Sequence, residues 1–183
     1  QVKLTSKHKL TALANYSTGS ALSVSTTNLT HLAAGLAAYE ISKSTSVAAA
    51  INQANARVSG VIGVDILSTT PRQINDPANA SAALTPELRY GFLSGAISMW
   101  VYNHTPSGAL QHKIPYTSID FAQLMYQDIS ADGLLDGKGF DAAGALVSLS
   151  FGSTLLSTDV YRLGLGVALL QMASDKNNKT QID

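Results

Sequence analysis

Side chains with a possible chemical task crowd together in one stretch, Ile114 to Asp141, which reads IPYTSIDFAQLMYQDISADGLLDGKGFD. Asp128, Ser130 and Asp132 hold positions one, three and five of a D-x-S-x-D-G loop, Gly133 falls at its sharp turn and Asp136 at position nine. That is the front half of an EF-hand-like calcium loop, in which short oxygen-bearing side chains on a tight turn converge on a hard cation. The back half departs from the pattern, because position twelve, which should carry a bidentate glutamate, is Gly139 and Asp141 comes two residues too late. Calcium on Asp128, Ser130, Asp132 and Asp136 is therefore one expectation. The other is a helix end followed by a polar turn, with Asp128 hydrogen-bonding a neighbouring segment.

The same acids admit a different chemistry. Asp120, Asp128, Asp132 and Asp136 could supply the two carboxylates of a glycosidase, which need only face each other across a cleft. Nothing in their spacing marks them as such. There is no G-x-S-x-G elbow, no H-E-x-x-H and no Walker loop. Gly164 and Gly166 mimic the start of a G-x-G-x-x-G loop but lie inside a helical pattern. His31 is a lone histidine among apolar residues, and His104 and His112 have no third ligand at a recognised spacing. The expectation is no catalytic residue and no cofactor beyond a possible calcium ion.

The elements that must position the acidic turn are helical. Pro115 with Thr117 or Ser118 marks a helix start, Asp120 complements the dipole in its first turn, and Phe121, Leu124, Met125 and Ile129 follow at helical spacing. Gly133 ends that helix. Other helices are expected over about 27–41, about 46–63, from Thr85-Pro86-Glu87 through LRYGFLSGAISMWVY, and from Ser157 or Thr158 onward. The helix bearing Trp100 is apolar on nearly every side, which assigns it the middle of a bundle. In the last helix, Val160, Leu163, Val167, Leu170 and Ala173 are expected to face inward.

Residues 1–25 alternate apolar and polar, as in VKLTSKHKL and ALSVS, with turn chemistry at Ser17 to Ser20, and are read as one or two extended strands. Residues 64–83 make a long ordered loop or lid. Val147, Leu149 and Phe151 alternate with serines, which suggests a small hairpin near 147–155. The expected fold is mainly α: a bundle of about five helices over 26–183, preceded by a short β segment over 1–25.

Composition narrows the function classes. At 183 residues the chain is long enough for one domain with a real core. Its charged content of 13% is about half the usual share, so hydroxyls and small residues must cover the surface, as is more typical of secreted proteins. A net charge of zero offers no field to hold nucleic acid. The absence of cysteine removes disulfides, thiolate catalysis and cysteine zinc sites. No stretch reaches the ~20 apolar residues of a membrane span, and no n-region and h-region opens the chain, so an exported protein would be present here as a mature piece. N-x-S/T triplets occur at Asn15, Asn28, Asn79, Asn103 and Asn178.

Residues Val24 to Ala38, Ile51 to Thr70, Ala83 to Ser98, the Asp128 to Gly139 turn and Tyr161 to Asn178 follow one another in an order that resembles a helical module of large multidomain bacterial cell-surface lipoproteins, where it follows immunoglobulin-like β-sandwich modules. The resemblance implies that the segment before residue 25 is the tail of an upstream sandwich, that the body is a five-helix domain, and that the acidic turn is a structural stop. It brings no activity and no catalytic residues. The function expected is a non-catalytic domain at the cell surface or outside the cell, in adhesion, matrix contact or spacing, with other domains of the same protein or extracellular proteins and polysaccharides as partners.

Overall fold

The computed structural model describes residues 8–19, 21–81, 83–105 and 116–180. Among these are five α-helices: α1 (Asn28–Ser42), α2 (Val47–Ile62), α3 (Pro86–His104), α4 (Ser118–Asp132) and α5 (Thr158–Ala173). Two small antiparallel hairpins lie between α4 and α5: β1 (Lys138–Phe140) with β2 (Leu146–Ser148), and β3 (Ser150–Phe151) with β4 (Thr154–Leu155). The mainly helical architecture is the one expected.

The helices start where hydroxyl side chains can take the orphan N–H groups of the first turn. Thr27, Ser46, Thr85, Thr117 and Ser157 are the five N-caps. Thr117 forms a reciprocal box with Asp120, whose carboxylate accepts the Thr117 N–H at 2.6 Å while the Thr117 hydroxyl accepts the Asp120 N–H at 3.2 Å. Gly133 ends α4 in the left-handed region at φ 83°.

α1 packs between α2 and α4, whereas α3 packs on α5 and touches α4. The middle of the bundle is thus shared, and α1 has the stronger claim to it: nine successive residues, Leu29 to Ala37, are buried. Alanine and glycine make this possible by letting neighbours close in from both sides. A Cβ on Gly35 would stand 2.8 Å from Ile129 Cγ2 and 3.0 Å from the Tyr126 carbonyl oxygen of α4. α3 supplies the two largest fully buried side chains, Trp100 and Tyr90. Tyr90 also ties the two layers together, since its hydroxyl hydrogen-bonds the Thr27 hydroxyl that caps α1.

Two expectations need correction. The N-terminal β segment does not form among the described residues 8–19 and 21–25, and Gln1 to Lys7 lie outside them. A strand needs a ladder partner, and here helix side chains take that part instead. The Thr11 N–H donates to His31 Nδ1 at 3.1 Å, Asn55 Nδ2 donates to the Leu13 carbonyl at 2.8 Å, and the Gln123 amide donates to the Lys9 carbonyl. Leu10 and Leu13, three residues apart, pack on the core, so the alternating pattern does not set the packing. The expected inward face of α5 holds only at its start, where Val160 packs on the core. Tyr161, Ala168 and Met172 are its buried residues, while Leu163, Val167 and Leu170 are 62%, 52% and 71% exposed. α5 is apolar on two faces, and Gly164 decides between them by letting the Trp100 indole lie against the helix backbone.

The hairpin expected near 147–155 is present as β3–β4, with Gly152 at φ 59° in its turn, and a second hairpin precedes it. The loop over 64–83 is strapped down. Its Arg72 N–H donates to the Glu87 carbonyl at 3.0 Å, and a Cβ on Gly91 would run into the Arg72 carbonyl oxygen, so α3 receives this loop at Gly91, while at Gly95 it meets both Ile74 of the loop and Met172 of α5. Asn79, buried, closes the 3-10 turn at Pro77–Ser81 by donating to the Gln73 carbonyl at 2.7 Å.

Candidate functional site

The acidic turn is built around one fully buried carboxylate. Asp128, in the last turn of α4, is 0% exposed, and the chain folds back so that three successive backbone N–H groups point at it. Its Oδ2 accepts from Gly137 at 2.9 Å, and its Oδ1 accepts from Asp136 at 3.3 Å and from Lys138 at 3.2 Å. Successive N–H groups aimed at one anion form a nest, and here the anion belongs to the protein itself. Gly137 makes the wrap possible, because its φ is 85° and a Cβ would strike the Leu156 carbonyl oxygen. Burial pushes the Asp128 carboxyl above its ordinary range, with the hydrogen bonds that favour the charged form pulling against it. Tyr161 of α5 lies beside it. Burial, followed by the charge of Asp128, raises the Tyr161 phenol far above its ordinary value, yet its Oη has no partner at hydrogen-bonding geometry among the described residues.

The other proposed ligands do not join Asp128 in a common shell. Ser130 donates to the Gln127 carbonyl at 3.2 Å on the exposed side of α4. Asp132 Oδ1 accepts the Leu134 N–H at 2.9 Å in a local turn. Asp136 accepts the Lys138 N–H at 3.1 Å with one oxygen and pairs with Lys138 Nζ at 2.8 Å with the other. No group of three or more potential metal-ligating acids and histidines occurs among the described residues. A cation on this turn would have to take the Asp128 oxygens away from these N–H groups, of which that of Gly137 is buried. We expect equal melting temperatures in about 1 mM calcium, the weak end of such loops, and in chelator; a rise with calcium, as binding to the folded state alone requires, would show that the turn rearranges.

Asp120, Asp128, Asp132 and Asp136 line none of three surface cavities found among the described residues. Asp120 belongs to the α4 cap and lies 3.5 Å from His8 Nε2. One of these cavities is bordered by Asp175, one by Asp65 and one by no acid. His104 stacks on Trp100 at 3.9 Å between ring centroids, its Nδ1 2.7 Å from the Trp100 carbonyl oxygen; His112 lies outside the described residues.

His31, the lone histidine among apolar residues of α1, is bonded by the N-terminal segment. The ring is 4% exposed and stacks on Tyr126 at 4.8 Å. Because Nδ1 accepts the Thr11 N–H, the neutral ring carries its proton on Nε2. Nε2 is buried without a hydrogen-bond partner among the described residues, and the Gln123 amide lies near it without completing a bond. Burial holds the imidazole below its ordinary value of 6.5, with Gln123 opposing. A histidine whose folded value is lowered takes up its proton more readily when unfolded, so its contribution to stability is present above pH 6.5 and is lost as pH falls through the lowered folded value. The melting temperature should therefore drop as the pH is lowered from 6.5 through that value. His31→Gln, which keeps an acceptor for Thr11, should remove that component of the drop, and unchanged pH curves would refute it.

Among the described residues no helix is long and apolar enough to cross a membrane. The chain matches no family model, no curated protein and no solved structure.

Proposed function

We propose that this chain is a non-catalytic module of a secreted or cell-surface bacterial protein, serving adhesion, matrix contact or spacing, and that the outward face of α5 is where it meets a neighbouring domain or an extracellular partner. The observation that carries the reading is the stripe Leu163, Val167 and Leu170, one residue per turn and more than half exposed at each position. Scattered exposed leucines need no explanation, whereas an aligned row on one helix marks a contact surface. The low charge of the chain and its resemblance to a surface-lipoprotein module support the same reading. So does the use of the most conspicuous acid, Asp128, as an internal anchor.

The test is the complete reading frame together with a pair of substitutions. An export signal and tandem β modules around this segment are expected; a free-standing cytosolic frame would overturn the proposal. In the full-length protein, Leu163→Glu with Leu170→Glu should open the adjoining segment to limited proteolysis or abolish attachment. The melting temperature of the module should stay within a few degrees, because the altered side chains are not in its core.

A further inference from the structure

On the other side of the bundle, α1, α2 and α4 leave between them a cavity of about 350 Å³. Leu32 and Leu36 of α1, Val58 of α2, Ile129 of α4, Leu134 just beyond it and Leu165 of α5 are among the apolar residues that line it. A single charged side chain, Arg57 of α2, completes the lining. Arg57 is exposed and makes no ion pair among the described residues. Val61 and Leu134, also bordering the cavity, are 83% and 55% exposed.

We infer that this cavity binds a single-chain amphiphile with a carboxylate head, a fatty acid, whose hydrocarbon lies between α1, α2 and α4 and whose head pairs with Arg57. The volume is within the range of small-molecule sites, about 300–1,000 Å³, and such sites are mostly apolar with a few polar groups that fix orientation. Here the walls offer a ligand body nothing but aliphatic contact, which excludes sugars, nucleotides and other polar ligands. The one directional group is a guanidinium, whose planar fork matches a carboxylate in two parallel hydrogen bonds. A protein partner fits poorly. Leu29 to Leu36 spans seven residues, about 10 Å of helix, whereas a stable protein interface covers about 800 Å² on each side. A bilayer fits poorly as well, because one arginine is not the basic cluster that anionic headgroups attract.

Dodecanoate, kept below its micelle concentration, is the probe. Methyl resonances of the protein should shift saturably at Leu32, Leu36, Val58, Ile129 and Leu134, and the melting temperature should rise. Arg57→Gln, exposed and outside the core, should weaken dodecanoate about tenfold or more, the effect expected of one lost charge-assisted pair, and should leave dodecanol binding unchanged. Leu134→Asp, also on the rim, should abolish both. No shift up to the solubility limit would overturn the inference. Equal binding by Arg57→Gln, or shifts concentrated at Leu163, Val167 and Leu170, would do so too. Capture of the protein by vesicles of phosphatidylcholine and phosphatidylglycerol without binding of free dodecanoate would reassign the cavity to a membrane surface and overturn it equally.

Discussion

Asp128→Ala is expected to cost about 3 kcal/mol of stability, which for a chain of this size lowers the melting temperature by roughly 6–12 °C. The figure follows from what the side chain leaves behind. Three N–H groups lose an ionised acceptor, and the Gly137 N–H is buried with nothing to replace it. The Lys138 N–H keeps a second acceptor in Asp136 Oδ1 at 3.1 Å, so it loses less. Returning a buried carboxylate to water offsets part of the loss, the same desolvation that raises its pKa. A group whose folded pKa is raised contributes stability below its unfolded value and loses it as pH rises through the folded one. Asp128 is thus more favourable in acid than at neutrality, the opposite sense to His31. Tyr161→Phe provides the control. Its hydroxyl is buried without hydrogen-bond geometry, so removing it should change stability by less than about 1 kcal/mol. A loss comparable to that of Asp128→Ala would mean that the phenol donates to the carboxylate. Denaturant melts of the two variants against the wild type decide both points.

The Asp128 anchor separates what local sequence dictates from what distant contacts decide. The helix starts were legible because each is a local event: Thr85-Pro86 and the Thr117–Asp120 box need no information from elsewhere in the chain. The role of Asp128 was open between cation ligand and internal hydrogen-bond acceptor, since an oxygen-bearing side chain every second residue before a glycine serves either purpose. The difference lies in where the Asp136–Lys138 backbone travels, which depends on Gly137 meeting the Leu156 carbonyl far along the chain. The N-terminal segment and α5 were misread for a related reason. Alternation reports a strand only if a second strand is available, and Thr11 and Leu13 found side chains of α1 and α2 instead. For α5, Leu163, Val167 and Leu170 form as good a stripe as the one that is buried, so composition could not choose. The Arg57 cavity had no signal at all in the chain, because its walls come from five helices and the turn after α4.

The contact that decided the α5 face makes the sharpest energetic prediction, a change of sign. Trp100 is fully buried, stacked on Phe121 at 4.1 Å and on His104 at 3.9 Å, with Phe151 edge-on at 5.2 Å. Trp100→Ala should cost about 3–5 kcal/mol, the transfer free energy of the indole plus the cavity it leaves among those rings. Gly164 meets the indole at its Nε1 edge, where a Cβ would overlap it. The ring cannot retreat because aromatic neighbours hold its other sides, so Gly164→Ala in the wild type should be destabilising by about 1–3 kcal/mol as an overpacked core. Yet glycine in the interior of a helix is intrinsically worse than alanine by about 1 kcal/mol. In a Trp100→Leu background the smaller side chain clears the space, the clash disappears and only the helical preference remains. Gly164→Ala should then stabilise by up to about 1 kcal/mol. The coupling between the two positions, measured by a double-mutant cycle, is expected at about 2–3 kcal/mol. Additive effects would mean that α5 does not pack its Gly164 face on Trp100, and the outward assignment of Leu163, Val167 and Leu170 would fall with it.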